Sequence, residues 1–379
     1  MNEYGRLLKG AEEDIDEAYK AFSDQPVDVD YCGNDGADNA AGSQPGHWQC
    51  TVKRPTSVTG PGTFFGKSER TLYIEPGYDG WWFDRRDLPD LLPTKAAVHN
   101  VWTTGAVVRN IVLRSWPPEN YIRMVEHMVA LRLGLGIDNL VMRLDSGDPP
   151  LFANGSMELV KAIEEAGIAQ QNRPVVYVTV KEPVSIVEPD GSFLLIRPCE
   201  GTPRLTVDCA LDFNNAIGKQ RVRFPLTPAF FRKGAQARTN TTAGKRLYCR
   251  TIGKIFADIR NLGYTEENVL IAGRSKYANE PRLMHGNKSL EAVWHRALLD
   301  LMAAFALIDG GRFCGHIISY KAGHRLDVKL ITQLILNDLL IVANPSGNGG
   351  NGDDARGKRF ASGLAAPGGY RFPKKDGTA

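Results

Sequence analysis

Cysteine is scarce in this sequence and never falls in a ligand-like spacing. Six cysteines are spread over 379 residues, with no CxxC pair and no regular framework among them. This pattern argues against a thiolate zinc site and against a disulfide scaffold, and it is typical of reduced thiols. We therefore expect an intracellular, reducing environment.

The sequence also lacks an excess of either charge and an apolar leader. Its 46 basic and 43 acidic residues leave a net charge of +3, mixed along the chain, which argues against binding to nucleic acid or anionic membrane. The first 22 residues form an acidic amphipathic pattern without the apolar region of a signal peptide. We expect a cytoplasmic protein with no transmembrane segment.

The composition is that of a globular protein with room for two domains. Hydrophobic residues make up 42% of the chain and charged residues 23%. Residues 1–22 could form one helix, but 23–47 are rich in Asp, Gly and Asn and are not expected to contribute to a core, so 1–47 is predicted to be an N-terminal extension or linker. The Gly-rich composition of 344–379 predicts a disordered tail. Between them we predict domain I at 48–182 and domain II at 183–343.

Strands and helices recur in each of these two regions. Alternating and β-branched runs predict strands near 48–58, 70–76, 137–144, 204–214, 220–226 and 314–320, and a pair of strands over 173–198 that turns at Pro189-Asp190-Gly191. Helical spacing of apolar residues, with prolines before and glycines after, predicts helices near 117–136, 155–167, 227–236, 247–262, 289–308 and 328–343. The pattern indicates two halves with the same order of parts.

Three segments carry ionisable side chains within or next to apolar elements. The pair Glu126-His127 lies in an apolar helix, His295 lies in another, and Lys321 and His324 stand where a strand runs into a tight turn. A single buried histidine is more often a hydrogen-bonded core residue than a ligand. Three histidines with a carboxylate, if they converge, favour a metal-assisted acid–base site.

The same segments resemble one known family. The run "VEHMVALRLGLGIDNLVMRLDSGDPPLFANGSMELVKAIEEAGI" resembles the VEH, IDN, DGS and AGI signature of the UDP-3-O-acyl-N-acetylglucosamine deacetylases, the zinc amidohydrolases of lipid A synthesis. The runs "TVKRPTSVTGPGTFFGK", "QARTNTT" and "YKAGHRLD" resemble the family's other motifs in the family's order. The resemblance implies an α+β fold of two similar α/β domains, with the helices sandwiched between β-sheets.

The resemblance also implies a role for each matching residue. His127 matches the first zinc ligand and His295 the second, while Glu126 matches the carboxylate that activates the attacking water. His324 matches the general acid for the amine leaving group, and Thr239 the hydroxyl that helps hold the oxyanion. Zinc with neutral imidazoles, a carboxylate and an open position suits the hydrolysis of an amide.

The third zinc ligand is displaced by one residue. In the family it is an aspartate four residues after the second histidine, but that position holds Leu299, and Asp300 follows it. Because a side chain five residues along a regular helix is turned about 140° away, His295 and Asp300 cannot share a face. A π-bulge between them would restore the face; otherwise Glu291, four residues before the histidine, reaches the metal, or the ligand set is incomplete.

The partner of the general acid is missing. A family aspartate four residues beyond the ligand orients the general-acid histidine, and the corresponding position here is Ala303 or Ala304. His324 is therefore expected to lack the carboxylate that would fix its ring.

The substrate side has also changed. The resemblance assigns substrate contacts to Arg296, which replaces a phosphate-binding lysine, and to Lys321. Phe64 stands at the position of a family histidine, Asn154 at that of the DGS aspartate, and Asn240 and Thr241 at those of a phenylalanine and a glycine. The surroundings that grip a nucleotide sugar are thus expected to be rebuilt.

Two classes of function follow. One is a zinc-dependent amidohydrolase that takes a small N-acylated sugar or nucleotide sugar, or a related N-acyl compound, with an altered substrate. The other is a non-catalytic ligand-binding or regulatory descendant with an incomplete zinc site. The metal content of the purified protein discriminates between them.

Overall fold

The fold is taken from a computed structural model of the chain. It describes residues 3–32, 48–64, 68–105, 109–242 and 265–343. The helix predicted at 247–262 and the tail predicted after 343 lie outside the described residues.

One half of the fold is built on a five-stranded sheet. Its strands, in spatial order, are β4 (Thr56–Pro61), β5 (Glu69–Pro76), β11 (Leu140–Leu144), β6 (Trp81–Arg85) and β7 (Thr94–Lys95). β11 pairs antiparallel with β5 and parallel with β6. Alternate side chains such as Leu72, Phe83 and Met142 are fully buried, so one face of this sheet lines the core.

The other half is built on a seven-stranded sheet. Its strands, in spatial order, are β1 (Arg6–Leu7), β14 (Val184–Val187), β15 (Phe193–Arg197), β23 (Gly315–Tyr320), β16 (Leu205–Asp212), β17 (Lys219–Pro225) and β2 (Val29–Asp30). Both edge strands come from the N-terminal segment, and each pairs parallel with its neighbour. The hairpin between β14 and β15 turns where the Pro-Asp-Gly signal predicts it.

The helices that line the site pack between these two sheets. The helical segments are α1 (Glu12–Ser23), a 3₁₀ turn (Val98–Asn100), α2 (Glu126–Gly134), α3 (Met157–Ala166), α4 (Pro228–Gly234), α5 (Glu291–His295), a π-helical segment (Arg296–Asp300), α6 (Leu301–Ala306) and α7 (His324–Leu336). α2, α5, α6 and α7 share one continuous apolar core with the inner faces of both sheets. The predicted α+β class is confirmed.

The remaining described strands form small sheets around this core. They are β8 (Val101–Thr103), β9 (Val112–Arg114) and β10 (Tyr121–Ile122); β3 (Trp48–Val52) and β12 (Ile168–Pro174); β13 (Tyr177–Val180), β22 (Arg312–Phe313) and β24 (Leu340–Val342); β18 (Thr239–Thr242) and β19 (Val269–Ala272); β20 (Met284–His285) and β21 (Lys288–Ser289).

Two predicted helices were too long. The helix predicted over 117–136 begins only at Glu126, because Tyr121–Ile122 is a strand and Met124 has a positive φ of 50° that no helix accommodates. The helix predicted over 328–343 covers 324–336 instead, and 340–342 pairs as β24. Asp338, with a φ of 51°, turns the chain between the two elements.

The N-terminal segment is packed, which the sequence reading did not predict. α1 lies on the outer face of the seven-stranded sheet and buries Ile15, Ala18 and Phe22 there. Gln25 is 4% exposed, although the polar composition of 23–47 predicted no contribution to a core. Tertiary contacts with the sheet override the weak local signal.

Two absences apply to the described part of the chain. None of its helices has the length and apolarity to cross a bilayer. Five of the six cysteines lie in this part, and none of these five is in a disulfide; Cys249 lies outside it.

His316 on β23 predicts a pH-dependent loss of stability. Burial lowers the pKa of this imidazole to about 4, whereas an unfolded histidine titrates near 6.5. Below the unfolded value the unfolded chain binds a proton that the folded chain does not, so stability falls as the pH falls. From pH 7 to pH 5 this group should remove about 2 kcal/mol from the free energy of unfolding.

The measurement is urea unfolding of the wild type and of His316→Gln at both pH values. The variant should lose about 2 kcal/mol less than the wild type between pH 7 and pH 5. An equal loss in both proteins would show that His316 binds its proton in the folded state as readily as in the unfolded one.

Candidate active site

Four elements bring the predicted polar residues into one place between the sheets. α2 contributes Glu126 and His127 at its first turn, and β18 contributes Thr239. The end of α5 contributes His295, and the first residue of α7 contributes His324. The side chains of Glu126, His295 and His324 are almost fully buried, so their polar atoms must find partners within the protein or in a bound ligand.

The two histidines predicted as metal ligands face each other. Nε2 of His127 lies 3.4 Å from Nε2 of His295. Oγ1 of Thr239 lies 3.4 Å from the first nitrogen and 3.0 Å from the second. Two imidazole nitrogens on a tetrahedral zinc ion, each about 2.0–2.1 Å from the metal, stand about 3.3–3.4 Å apart. The separation of the pair is therefore that of two zinc ligands.

The predicted π-bulge after His295 is confirmed. Residues Arg296–Asp300 form a π-helical segment, in which one extra residue is accommodated before α6. As a result Oδ1 of Asp300 lies 3.4 Å from Nδ1 of His295 and 3.5 Å from Nε2 of His324. The one-residue displacement in the sequence is thus absorbed by the helix, and Asp300 reaches the histidines.

Glu126 and His324, the predicted base and acid, lie next to each other in the cluster. Oε1 of Glu126 lies 3.8 Å from Nε2 of His324, and Oε2 accepts a hydrogen bond of 2.9 Å from the backbone N–H of Ile111. Burial raises the pKa of Glu126 above its ordinary value, although the His324 charge opposes the shift. A raised carboxyl pKa is what a general base near neutral pH requires.

The pKa values of the two facing histidines are shifted in opposite directions. Burial, and then the neighbouring His295, lower the pKa of His127 to about 3, so this imidazole is neutral. Burial opposes the charge on His295 too, but the Asp300 carboxylate raises its pKa overall. Burial alone would raise the pKa of Asp300, yet the imidazoles of His295 and His324 hold it well below its usual range. His127 is already in the form that binds a metal.

Two buried atoms in the cluster have no hydrogen-bond partner among the described residues. They are Oδ1 of Asp300, which makes only the ion-pair contacts of 3.4 and 3.5 Å with His295 and His324, and Nδ1 of His324. The first is a carboxylate oxygen aimed at the histidines, and such an orphan is a feature of a site that binds a cation. The second fits the expectation from Ala303 and Ala304, which are both buried and offer no carboxylate behind the His324 ring.

Glu291, the alternative metal ligand, is engaged elsewhere. Its Oε1 accepts from the backbone N–H and Nε of Arg238, at 3.0 and 2.7 Å. Its Oε2 accepts from Nη2 of Arg238 and from the backbone N–H of Arg282, at 3.0 and 2.6 Å. Both oxygens are therefore saturated, and the pair ties β18 to α5 next to Thr239 and His295.

Arg296 is not brought to the histidines. Its guanidinium is 4% exposed and forks onto Asp327, with Nη1 to Oδ2 at 2.6 Å and Nη2 to Oδ1 at 2.5 Å. Nη2 also donates to Ser319 at 3.2 Å. The role predicted for Arg296, a contact with substrate, has no exposed donor to carry it here.

Lys321 and Asn154, two other predicted substrate contacts, are hydrogen-bonded to groups outside the cluster. Nζ of Lys321 donates to the backbone carbonyl of Asp190 at 2.7 Å, in the turn after β14. Asn154 donates to Glu158 at 3.1 Å and accepts from Arg282 at 3.3 Å. Neither side chain contacts the histidines, and their assignment to substrate stays a prediction.

A small apolar cleft opens beside His127. Phe64, the remaining predicted substrate contact, lies next to Thr63, one of the residues that line it. Other lining residues include Leu72, Met124, Met128, Phe152 and Leu159. The cleft places apolar surface next to the polar cluster, which suits a ligand with both characters.

The metal ligands as placed do not converge on one point. Within the described ranges, no three His, Cys, Asp or Glu side chains are arranged to hold one ion. The reason is that His295 presents Nε2 to His127 and Nδ1 to Asp300, so its ring lies between the two. The donor types, the spacing of the two Nε2 atoms and the orphaned Asp300 oxygen nevertheless fit zinc.

Sequence reasoning missed two buried ion pairs that support the site. The Arg238–Glu291 pair links the start of α5 to the residue before Thr239, and the Arg296–Asp327 pair links the π-helical segment after His295 to the helix that begins at His324. Asp327 follows His324 by three residues on the same helix face, which was a usable signal. The partner of Arg238 lies 53 residues away and could not be read locally.

Together, the fold and this cluster indicate the class of protein, an α+β protein with a buried polar site between two sheets. A buried carboxylate, imidazoles and a hydroxyl lie in the core of a two-sheet α+β fold, beside an apolar cleft. The family model for UDP-3-O-acyl N-acetylglycosamine deacetylase matches residues 49–336, and the chain belongs to this family.

Individual relatives agree with the family model. The UDP-3-O-acyl-N-acetylglucosamine deacetylase of Trichormus variabilis is 30% identical over 300 residues, which cover 76% of this chain and 98% of the relative. The protein of the same name from Hahella chejuensis is 29% identical over 293 residues, covering 76% and 90%. That of Actinobacillus pleuropneumoniae serotype 3 is 26% identical over 298 residues, with the same coverage.

Proposed function

We propose that this protein is a zinc-dependent amidohydrolase that removes an acyl group from the nitrogen of an amino sugar or a related N-acyl compound. The observation that carries the proposal is the placement of Glu126 and His324 next to the facing pair of His127 and His295. A base, an acid and a ligand pair within one buried cluster are the parts that amide hydrolysis needs.

His127 and His295 would hold the zinc ion through Nε2, and Asp300, which contacts Nδ1 on the other side of the His295 ring, would complete the set only by turning toward them. When bound, zinc supplies a Lewis acid that polarises the amide carbonyl and favours ionisation of the attacking water. The Arg238–Glu291 pair fixes β18 against α5, and so fixes the Thr239 hydroxyl beside His295.

The protons are handled by the chain's own residues. Oε1 of Glu126 takes the proton from the attacking water, and the backbone N–H of Ile111 holds the other carboxylate oxygen in place. Nε2 of His324, 3.8 Å from that carboxylate, gives a proton to the departing amine. The Thr239 hydroxyl donates to the oxyanion that develops on the carbonyl.

The substrate is expected to differ from the one in the relatives' names. Arg296 is withdrawn into its pair with Asp327, and Asn154 is held by Glu158 and Arg282. The small cleft beside His127 offers the substrate an apolar wall. We infer an acylated amino sugar whose nucleotide part, if present, is bound by other groups than in the relatives.

A second candidate is a non-catalytic binding protein of the same fold. It is favoured by one observation, the His324 ring with no partner for Nδ1 and alanines where a carboxylate would orient it. Such a protein would keep the cleft and bind its ligand without turnover.

The proposal includes a domain division at 182/183 and a cytoplasmic location. The division separates the five-stranded from most of the seven-stranded sheet. The scattered free thiols suit a reducing compartment.

The test combines metal analysis with a deacetylation assay. Protein purified without chelator or added zinc should contain about one zinc per chain, because the affinity of such a ligand set retains the metal through purification. Turnover of a panel of N-acylated amino sugars, followed by labelling of the released amine, should identify a substrate. Absence of both metal and turnover would favour the binding protein.

Within that panel the UDP-linked acyl-glucosamine should be a poor substrate. Each lost hydrogen bond or stacking contact costs on the order of 1 kcal/mol, and the missing partner of His324 should cost tens to a hundredfold or more in rate. Turnover of about 1 per second or faster, in the range typical of enzymes, would show that the ordinary substrate is still used.

A further inference from the structure

The segment 3–32 lies outside the family match, which starts at residue 49, yet it contacts α5, which carries His295, and β23, the strand that precedes His324. We propose that this segment, here called the strap, positions His295 and His324 from behind the sheet. The positioning of the histidines does not depend on the proposed function, whereas its consequence for turnover rests on that function.

The first contact is made by α1 with β23. Phe22 of the strap packs edge-on against Tyr320, with ring centroids 6.0 Å apart, and Ile15 and Ala18 join the same buried cluster. Tyr320 is the last residue of β23, and the chain turns through Lys321, with a φ of 54°, before α7 begins at His324. The strap thus buttresses the strand end from which His324 departs.

The second contact is made by the end of the strap with α5. The ring of Tyr31 packs on Phe230 at 4.7 Å and on Trp294 at 6.5 Å between centroids. Nζ of Lys233 donates to the Tyr31 hydroxyl at 2.7 Å and lies over the Trp294 ring at 5.3 Å. Trp294 is 1% exposed and immediately precedes His295, so the strap is coupled to this histidine through one residue.

The sheet itself is adapted to the strap. Nη1 of Arg221 on β17 donates to the carbonyls of Phe22 and Gln25, at 2.9 and 2.8 Å, while Nε and Nη2 fork onto Asp208. The backbone N–H of Arg221 also donates to Asp28 at 2.9 Å. Without the strap this buried guanidinium would lose two acceptors, which is a costly arrangement.

The experiment compares Tyr31→Ala with Tyr4→Ala in the full chain. Both remove a tyrosine ring from the strap, but Tyr4 packs on Tyr19 of α1 and not on α5. Hydrogen exchange followed by mass spectrometry reports the opening of each segment without any metal or substrate. In Tyr31→Ala the amides of 291–300 should exchange about tenfold faster, and those of the five-stranded sheet should not change.

The two controls make the result specific. Tyr31→Phe keeps the ring and should restore most of the protection, and Tyr31→Leu provides a folded alternative if the alanine variant does not fold. Tyr4→Ala should leave 291–300 protected as in the wild type. Unchanged exchange of 291–300 in Tyr31→Ala or Tyr31→Leu, or equal acceleration in Tyr4→Ala, would overturn the positioning role.

A catalytic readout separates this inference from the proposed function. If the protein has a substrate, Tyr31→Ala should lower kcat and leave KM nearly unchanged, because the strap touches no part of the cleft. If the wild type shows neither zinc nor turnover, the proposed function fails while the exchange result still decides on the strap.

Discussion

Glu126→Gln is expected to reduce turnover of the true substrate by at least about a hundredfold, and by up to about ten thousandfold. The amide cannot accept the proton of the attacking water, whereas its oxygen still accepts the hydrogen bond from Ile111 that is 2.9 Å long in the wild type. The fold should therefore persist while the base is lost. Amine release under saturating substrate gives kcat directly.

Two controls give this result its meaning. Glu126 is not among the proposed ligands, so the zinc content of Glu126→Gln should equal that of the wild type. Glu164→Gln, at an exposed position of α3, makes the same chemical change away from the site and should keep full activity. Retention of more than about a tenth of the wild-type kcat in Glu126→Gln would remove Glu126 from the role of general base.

His127→Ala and His295→Ala are each expected to abolish stoichiometric zinc binding. The two Nε2 atoms, 3.4 Å apart, are the donors with the spacing of zinc ligands, and loss of either leaves one imidazole. Zinc content by mass spectrometry after desalting should fall from about one per chain to near zero. Circular dichroism should show that both variants remain folded.

Zinc binding by variants of Asp300 and His285 tests the ligand set further. Asp300→Ala should weaken zinc binding without abolishing it, because Asp300 lies on the far side of the His295 ring from His127. The loss should be about tenfold to a hundredfold in affinity. His285→Ala changes an exposed histidine and should bind zinc like the wild type. Equal zinc content in the wild type and both site variants would contradict the metal site as a whole.

The order of motifs in the sequence predicted most of the residues of the candidate site. Short-range patterns placed Glu126 and His127 on one helix and His295 on another, because apolar spacing shows which face of a helix is buried. The same helical geometry led to the π-bulge, since Asp300 stands five residues after His295 and only an extra residue in the turn brings it round. The structure agrees on both points.

Long-range pairings were beyond the sequence. Glu291 has a suitable spacing for a ligand, but its carboxylate is consumed by Arg238, which lies 53 residues away. Arg296 has a suitable charge for a phosphate, but Asp327 holds it in the core. A local pattern gives the type and the direction of a side chain, whereas the partner that satisfies a buried charge depends on how distant elements pack.

From the sequence by itself, local periodicity determined the order of the strands and helices near the site, and the resemblance of its motifs to the deacetylase family determined the expected fold class and the residues expected to meet there. Only the tertiary structure decided that residues 3–32 cover the seven-stranded sheet and contact both the strand that precedes His324 and Trp294, the residue before His295. The strap's sequence shows an amphipathic pattern over the first 22 residues of the chain, but this pattern does not show which surface of the protein the helix covers. Its strands form because β14 and β17 offer free edges, and its helix packs because the outer face of the sheet is apolar.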